Sequence, residues 1–246
     1  MSQTLFTAHV PICLDCPAQM EAAVRYVLEG EYESHYDGFG LDILDIGANV
    51  GAFALWADMR WQGSTIRCYE PNPGTFAYLE RNIKGRPNIS ATNAAVYPGV
   101  GRREPFFSRY DGDGEAGLVS YARDTFRDQA VMSDFDVDVV APSDLASADI
   151  VKLDVEGAEA AILAHLDLSK TSLVLAEFQN SRNRGEMQAR LADSFVAVLD
   201  EACRWDPILD YRDYREDLKG NVYGRMFYVR RGMTRLMHRP PAKPRS

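Results

Sequence analysis

The sequence has few cysteines and histidines, with four of each among 246 residues. The cysteines, at positions 13, 16, 68 and 203, are too few and too scattered for a disulfide framework. Only Cys13 and Cys16 have the spacing of a zinc-binding pair. A structural zinc site usually needs four ligands, and the chain has no second Cys or His pair at such a spacing. A disulfide scaffold is therefore excluded and a structural zinc site is disfavoured.

The sequence also lacks a long apolar run. No stretch approaches the roughly 20 apolar residues that a membrane-spanning helix needs. The first residues, MSQTLFTAHVPICLDC, have no basic segment followed by an apolar one, as a secretory signal would. We therefore expect a soluble, cytoplasmic protein without a membrane partner.

Basic residues are outnumbered by acidic ones. There are 27 Lys and Arg against 36 Asp and Glu, which gives a formal net charge of −9. Because nucleic-acid binding depends on neutralising phosphates, this balance disfavours a nucleic acid as partner. A small molecule is the better expectation, and a homo-oligomer is compatible with the sequence.

Strand-like and helix-like segments alternate along the chain, which predicts a doubly wound α/β fold with a mostly parallel sheet. A further helix is predicted near 186–203, and an antiparallel terminal strand at the end of the sheet over 221–231. The predicted strands of the repeating pattern cover 41–47, 65–71, 89–96, 149–155 and 172–178, and helices cover 17–30, 53–61, 75–85 and 157–166.

The length favours one domain, predicted over residues 1–235. Residues 1–40 are predicted to form an N-terminal helical cap. The glycine-rich stretch 97–140 interrupts the alternation and is predicted to be an inserted hairpin and lid loop. The last segment, 236–246, is a basic, proline-containing tail.

The first βα turn carries the clearest binding signal. Gly47 and Gly51 allow a sharp turn and a close approach of a ligand to the backbone, at the start of a helix. Glu70 ends the next predicted strand, where a carboxylate can hold ribose hydroxyls. The phosphate-binding pattern G-x-G-x-x-G is absent. S-Adenosylmethionine fits this pattern, because it has adenosine without pyrophosphate and an ammonium group that Asp45 could attract.

Three segments resemble a known family. LDIGANVGAF (44–53) resembles motif I of class I methyltransferases, and CYEPNP (68–73) resembles the acidic motif that follows it. VKLDVEGAEAAIL (151–163) is similar to the I-K-x-D-x-E-G-x-E segment of the FkbM family. This resemblance implies a seven-stranded Rossmann-like sheet and transfer of a methyl group from S-adenosylmethionine. The usual acceptor is a hydroxyl oxygen on a sugar, a glycolipid or a secondary metabolite, as in natural product biosynthesis.

The resemblance also implies roles for individual residues. Glu70 would hold the ribose with Asn72 beside it, and Asn93 and Ala94 would contact adenine. The methionine end would be lined by Asp45, Gly47, Asn49 and Gly51.

Acidic residues at the carboxyl ends of the fourth and fifth predicted strands are candidates for catalysis. Asp154 lies where doubly wound sheets bind ligands, so it could act as general base, orient the acceptor and contact the cofactor. Glu156 is a second candidate, although Glu156 and Glu159 could simply stabilise a helix N-terminus. Glu177 could join Asp154 in holding Mg²⁺, which would acidify the acceptor hydroxyl.

Other functions remain open from the sequence. An amino sugar or aminocyclitol acceptor would make the reaction an N-methylation. A NAD-dependent oxidoreductase would share the fold, but the missing middle glycine disfavours it. A non-catalytic nucleotide-binding module would not need the acids Asp45, Glu70 and Asp154 together. A nucleic-acid methyltransferase is disfavoured because DVEG (154–157) replaces an Asn-Pro-Pro-aromatic or Asp-Pro-Pro-aromatic segment.

Overall fold

The structure is a computed structural model that describes residues 2–5, 12–98, 103–108, 116–118, 133–202 and 224–233. In chain order, its strands are β1 (Ser2–Leu5), β2 (Leu14–Pro17), β3 (Asp42–Ile46), β4 (Thr65–Tyr69), β5 (Ile89–Thr92), β6 (Ala95–Val96), β7 (Arg103–Ser108), β8 (Gly117–Leu118), β9 (Ser133–Val140), β10 (Ile150–Leu153), β11 (Leu173–Phe178), β12 (Phe195–Ala202) and β13 (Gly224–Arg230). The α-helices are α1 (Glu21–Leu28), α2 (Ala52–Arg60), α3 (Pro73–Asn82), α4 (Glu159–His165) and α5 (Ser181–Leu191).

A mixed sheet of seven strands forms the centre of the described structure, in the order β12-β13-β11-β10-β3-β4-β5. The five strands β11, β10, β3, β4 and β5 are parallel to one another. Strand β13 is antiparallel to both β11 and β12. The predicted α/β fold with a mostly parallel sheet and an antiparallel strand is therefore confirmed.

Helices cover both faces of the sheet, which explains why its central strands are almost entirely apolar. Successive residues of β3 point to opposite faces, so Ile43 and Leu44 belong to different hydrophobic clusters. The cluster of Ile43 includes Leu55 of α2 and Leu79 of α3. The cluster of Leu44 includes Ile162 of α4. The two clusters hold the carboxyl ends of the parallel strands at one edge.

Two expectations about the C-terminal half are wrong. The helix expected near 186–203 ends at Leu191, and Phe195–Ala202 form the edge strand β12. The segment is cut by a turn in which the Ser194 N–H donates to the Leu191 carbonyl, and its β-branched residues favour a strand beyond that turn. The strand expected at the end of the sheet, β13, lies instead between β11 and β12.

The described parts of the inserted stretch form a second sheet. Strands β7, β8 and β9 join β6 in the order β6-β9-β7-β8. Phe106, Leu118 and Val137 make a small core with Ala95, which fixes this sheet beside the end of β5. The remainder of the predicted lid loop and the basic tail lie outside the described residues.

The N-terminal segment contains more than the expected helix. Strands β1 and β2 pair as an antiparallel hairpin, and a 3-10 turn over Ala18–Met20 leads into α1. Met20, Val24 and Leu28 are buried in the cluster that includes Ile43. Among the described helices, none has the length and apolar character required to cross a membrane.

Candidate functional site

A cleft opens at the carboxyl ends of β3, β4 and β10, the edge at which doubly wound sheets bind ligands. It encloses about 570 Å³, including its opening to solvent. The second sheet forms one wall through Phe106 and Leu118. The residues from the strand ends that line the cleft include Gly47, Asn49, Glu70, Ala94, Asp154 and Glu156.

The β3–α2 turn has the backbone geometry expected of a glycine-rich binding loop. Gly47 has a φ of 80° and packs so tightly that a Cβ atom on it would lie 1.8 Å from the Asp154 carbonyl oxygen. Asn49 also has a positive φ of 52°, and its side-chain oxygen accepts a hydrogen bond from the Val50 N–H at 2.6 Å. The turn therefore packs against the backbone that follows β10 and brings Gly47 and Asp154 to one cleft.

Glu70 is held at the end of β4 by backbone donors. Its Oε2 accepts the Asn49 N–H at 2.9 Å and its Oε1 accepts the Asn72 N–H at 2.8 Å. Burial raises the pKa of Glu70 to about 7, although these two hydrogen bonds and Lys152 oppose the shift. The carboxyl group lines the cleft and keeps lone pairs for further donors.

The other residues expected around the cofactor have structural contacts of their own. The Asn72 side chain caps α3 by accepting the Gly74 N–H at 3.0 Å. Asn93 donates to the Glu70 carbonyl at 2.8 Å and so ties the ends of β4 and β5 together. Ala94 lines the cleft. Gly51, with a φ of 91°, is the N-cap of α2. Their contacts with a cofactor stay predictions.

A buried ion pair lies beneath the cleft. Lys152 Nζ lies 3.4 Å from Asp45 Oδ1 and 3.5 Å from Asp154 Oδ2, and it donates to the Gly47 carbonyl at 2.6 Å. Burial opposes the charge of Lys152, but the neighbouring carboxylates raise its pKa above the ordinary value. Asp45 is fully buried. It is not among the described lining residues of the cleft, so its expected contact with the methionine end stays a prediction. Lys152 links β3, β10 and the Gly47 turn.

Asp154 and Glu177 are bridged by a tyrosine. The Tyr32 hydroxyl lies 3.4 Å from Asp154 Oδ2 and 3.1 Å from Glu177 Oε1. Tyr32 is buried and packs against Phe53 with a ring-centroid distance of 5.2 Å. The structure therefore places Tyr32 between Asp154, which lines the cleft, and Glu177, which is not among the described lining residues. The expected catalytic role of Glu177 stays a prediction.

Sequence reasoning missed both Tyr32 and Lys152 as site residues. A lysine inside the otherwise apolar strand IVKL was a usable signal, because a buried cation needs carboxylate partners. Tyr32 gave no such signal. Its segment, EGEYESHY, has no distinctive pattern, and only the fold brings it to β10 and β11.

The loop after β10 is held by a buried carboxylate. Glu159 Oε1 accepts the N–H groups of Val155 and Gly157, each at 3.1 Å, and its Oε2 accepts Asn183 Nδ2 at 2.9 Å. Glu156, between these donors, has a positive φ of 59° and lines the cleft. Glu159 thus shapes the loop, while Glu156 is placed at the surface where a ligand would lie.

The described residues do not fit the suggested magnesium site. Across the described ranges there is no group of three or more His, Cys, Asp or Glu side chains arranged to hold a metal ion. Asp154 Oδ2 faces the ammonium group of Lys152, and the Tyr32 hydroxyl lies between Asp154 and Glu177. The contacts that Mg²⁺ would need are therefore made by protein donors, and we derive no step through a metal.

The cleft does fit S-adenosylmethionine. Its described lining has three carboxyl groups, those of Glu70, Asp154 and Glu156, and within that lining there is no Lys, Arg or His. Such a lining suits a cofactor with sulfonium and ammonium charges and disfavours a pyrophosphate. The small Ala94 and the apolar Phe106 leave an apolar wall for a base.

Comparison with known proteins gives a consistent picture. A family model described as the methyltransferase FkbM domain matches residues 45–215. Methyltransferase 1 of Beauveria bassiana (strain ARSEF 2860) is 29% identical over 193 residues, covering 67% of this chain and 76% of the relative. Methyltransferase sdnD of Sordaria araneosa is 24% identical over 201 residues, covering 67% of this chain and 77% of the relative.

Among solved structures, PH0793 of Pyrococcus horikoshii is similar in fold. It aligns with a TM-score of 0.50 at 11% identity, covering 93% of this chain and 71% of that chain. This likeness concerns the fold alone. The family match begins at Asp45, so Tyr32 and the rest of the N-terminal segment precede it.

Proposed function

The chain belongs to the FkbM family of S-adenosylmethionine-dependent methyltransferases, and we propose that it methylates a hydroxyl oxygen of a small sugar-like or secondary-metabolite acceptor. The observation that carries this proposal is the position of Asp154. Its carboxyl group lies in the cleft at the end of β10, beside the glycine turn. It is the acid best placed to face both the cofactor and an acceptor.

S-Adenosylmethionine supplies an electrophilic methyl group when bound. The residues of the chain must hold the acceptor oxygen in line, about 3–3.5 Å from the methyl carbon, and remove its proton. Asp154 is proposed to orient the hydroxyl and to accept its proton as the new bond forms. Because a carboxylate is a weak base for an alcohol, this transfer must occur late, when the oxygen has become acidic.

The remaining cleft residues are proposed to bind the cofactor. Glu70 accepts hydrogen bonds from the ribose hydroxyls. Gly47 and Asn49 admit the methionine end close to the backbone, and Asp154 also borders that end. Glu156 is proposed to contact the acceptor, because its side chain leaves the loop at the cleft. The smaller contributions of Asn72, Asn93 and Gly51 come through the loops that they shape.

An aminated acceptor is the second candidate. The acidic lining of the cleft favours binding of a protonated amine, such as that of an amino sugar or an aminocyclitol. Transfer would then require Asp154 to take one proton before the nitrogen lone pair could attack. Hydroxylated and aminated acceptors should therefore be screened in parallel.

A substitution tests the proposed role of Asp154. Asp154→Asn keeps the shape of the side chain but cannot accept the proton, so turnover should fall at least about a hundredfold. Cofactor affinity should change by less than about threefold, as measured by calorimetric titration. The control is Asp138→Asn, because the Asp138 side chain is 73% exposed on β9.

The acceptor for these assays is identified by a screen. The full chain is incubated with methyl-labelled cofactor and a panel of sugars, cyclitols, their amino derivatives and other hydroxylated metabolites, and transfer of the label is measured. Equal loss of cofactor binding and turnover in Asp154→Asn would place Asp154 among cofactor-binding residues only. Retained turnover would exclude it as the proton acceptor. A cytoplasmic location, a single domain over 1–235 and homo-oligomer formation stay predictions from the sequence.

A further inference from the structure

We propose that Glu177 carries a proton and, through Tyr32, positions the ionised carboxylate of Asp154 toward the cleft. Glu177 and Tyr32 would then be positioning residues rather than groups that touch the acceptor. The inference rests on the proposed function only in the role that it gives to Asp154. The arrangement of protons can be tested separately.

The geometry of the Tyr32 hydroxyl favours a proton on one of its two neighbours. A phenol has a single hydrogen, so it can donate to only one carboxyl group. Its oxygen nevertheless lies within hydrogen-bond distance of both Glu177 Oε1, at 3.1 Å, and Asp154 Oδ2, at 3.4 Å. If both carboxyl groups were ionised, one contact would place two acceptors against each other. A protonated carboxyl group on one side resolves this, because it donates to the phenol oxygen.

The surrounding charges assign that proton to Glu177. Asp154 Oδ2 lies 3.5 Å from the ammonium group of Lys152 and forms an ion pair with it. Arg225 is opposite Glu177 in the register of β11 and β13. Its guanidinium group binds elsewhere, however, since it donates to the Glu31 carbonyl and lies 3.6 Å from Glu31 Oε1.

Burial and two neighbouring carboxylates also favour a proton on Glu177. Burial raises the pKa of Glu177 well above its ordinary value and the charges of Asp154 and Glu31 add to this, whereas Lys152 and the hydrogen bond from Tyr32 oppose it. Burial likewise raises the pKa of Tyr32, so Tyr32 stays a neutral phenol. Asp45 already lies 3.4 Å from Lys152, which limits what that single cation can do for a further carboxylate.

Donation therefore runs from Glu177 to Tyr32 and from Tyr32 to Asp154. The hydrogen bond from Tyr32 and the ion pair with Lys152 hold Asp154 through Oδ2, leaving Oδ1 for the acceptor. Tyr32 itself is fixed by Phe53 and Phe227, whose ring centroids lie 5.2 Å and 6.2 Å from its own. Because Tyr32 precedes Asp45, the N-terminal segment supplies a part of the site that lies outside the matched range 45–215.

The protonation of Glu177 can be measured without an acceptor. The full chain is labelled with carbon-13 in its glutamate carboxyl groups and titrated by NMR. One signal, absent in Glu177→Gln but present in Glu186→Gln, should titrate well above the ordinary range for glutamate. Glu186 is the control because its side chain is 53% exposed. A midpoint near 4.3, the ordinary value for glutamate, would overturn the proposal. This titration does not depend on methyl transfer, so failure of the proposed function would leave it interpretable.

The proposed link from Glu177 through Tyr32 to Asp154 can be tested by measuring turnover with the acceptor that the screen identifies. Tyr32→Phe should lower kcat about tenfold, as expected for the loss of one hydrogen bond to a charged group, with little change in KM. Tyr36→Phe is the matched control, since Tyr36 is a buried tyrosine of the same segment. Glu177→Gln should retain several times more turnover than Glu177→Leu, because the amide can still donate to Tyr32. Equal kcat in the two tyrosine variants, or equal loss in the two Glu177 variants, would contradict the positioning role.

Discussion

Glu70 is the residue whose charge most directly links pH to cofactor binding. Its pKa of about 7 reflects burial, which disfavours the charged form in the free protein. Ribose hydroxyls donating to the carboxylate, and a positively charged cofactor nearby, favour the ionised form. Binding must therefore lower the pKa of Glu70 and release protons when the pH is near or below 7.

The affinity for S-adenosylmethionine should consequently rise as the pH increases from 6 to 8, by about five- to tenfold. Calorimetric titration at several pH values, in buffers of different ionisation enthalpy, measures both the affinity and the proton release. Glu70→Gln should bind more weakly and lose this part of the pH dependence, whereas Glu186→Gln should behave as the unsubstituted protein. The same pH dependence in Glu70→Gln would show that another group is responsible.

Glu156 combines an unfavourable backbone conformation with a position in the cleft. A positive φ of 59° costs an L-residue roughly 1–2 kcal/mol, which glycine would not incur. In residues other than glycine, such backbone conformations are concentrated at functional sites. The structure keeps a glutamate there, which is consistent with a use for its carboxylate.

Two substitutions at Glu156 separate backbone strain from the carboxylate. Both Glu156→Gly and Glu156→Ala remove the acid, but only alanine keeps the strain. We expect Glu156→Gly to exceed Glu156→Ala in free energy of unfolding by about 1 kcal/mol, measured by urea denaturation. Both should show reduced turnover. If the two variants were equally stable, the loop would not be strained at this position.

At the scale of secondary-structure elements, the close contact between the β3–α2 turn and the loop after β10 builds the cleft. It depends on the absence of a side chain at Gly47. Gly85 provides a comparison, because it also has a positive φ, of 85°, but nothing lies within 4 Å of a Cβ atom placed on it.

Gly47→Ala should therefore be much more damaging than Gly85→Ala. At Gly85, alanine adds only backbone strain, of about 1–2 kcal/mol. At Gly47, it adds an overlap with the Asp154 carbonyl oxygen, so the loss in free energy of unfolding should be at least about 2 kcal/mol greater. Of the two variants, only Gly47→Ala should bind the cofactor more weakly. Similar effects of the two substitutions on stability would show that the two loops are not in close contact.

The sequence predicted those elements whose hydrophobic pattern and end signals agree. Strands β3 and β10 are largely apolar segments followed by Gly47 and by Asp154, β4 is followed by Glu70, and each of these strands is confirmed. The prediction for the region after α5 was wrong, because it extended a helix through Asp193 and Ser194 into residues that form the strand β12. The position of β13 could not be predicted, since the order of strands depends on which edges remain unpaired after the sheet assembles.

The candidate site was predictable to the extent that it lies at strand ends. Motif spacing placed Gly47, Glu70 and Asp154 together, and the structure brings them to one cleft. Tyr32 could not be found in this way, because its contact with Glu177 spans 145 positions of the chain. The contact of Lys152 with Asp45 could not be predicted either, because it is also distant in the sequence. It results from the pairing of β3 with β10, which sets Lys152 opposite Asp45.

At the scale of the whole molecule, charge and architecture support one kind of ligand. The chain has a net charge of −9, and the described lining of the cleft adds acids at the position where a cationic cofactor would lie. The N-terminal segment packs into the same core as β3 and α2, through Val24 and Leu28. It is therefore part of the folded unit that carries the site, although the family match begins after it.

The cofactor of the cleft can be identified by calorimetric titration of the full chain with S-adenosylmethionine, with its demethylated product and with NAD in one buffer. We expect saturable binding of the first two at one site per chain and no heat of binding for NAD. Binding of NAD without binding of S-adenosylmethionine would contradict the assignment of the cofactor and, with it, the proposed methyl transfer.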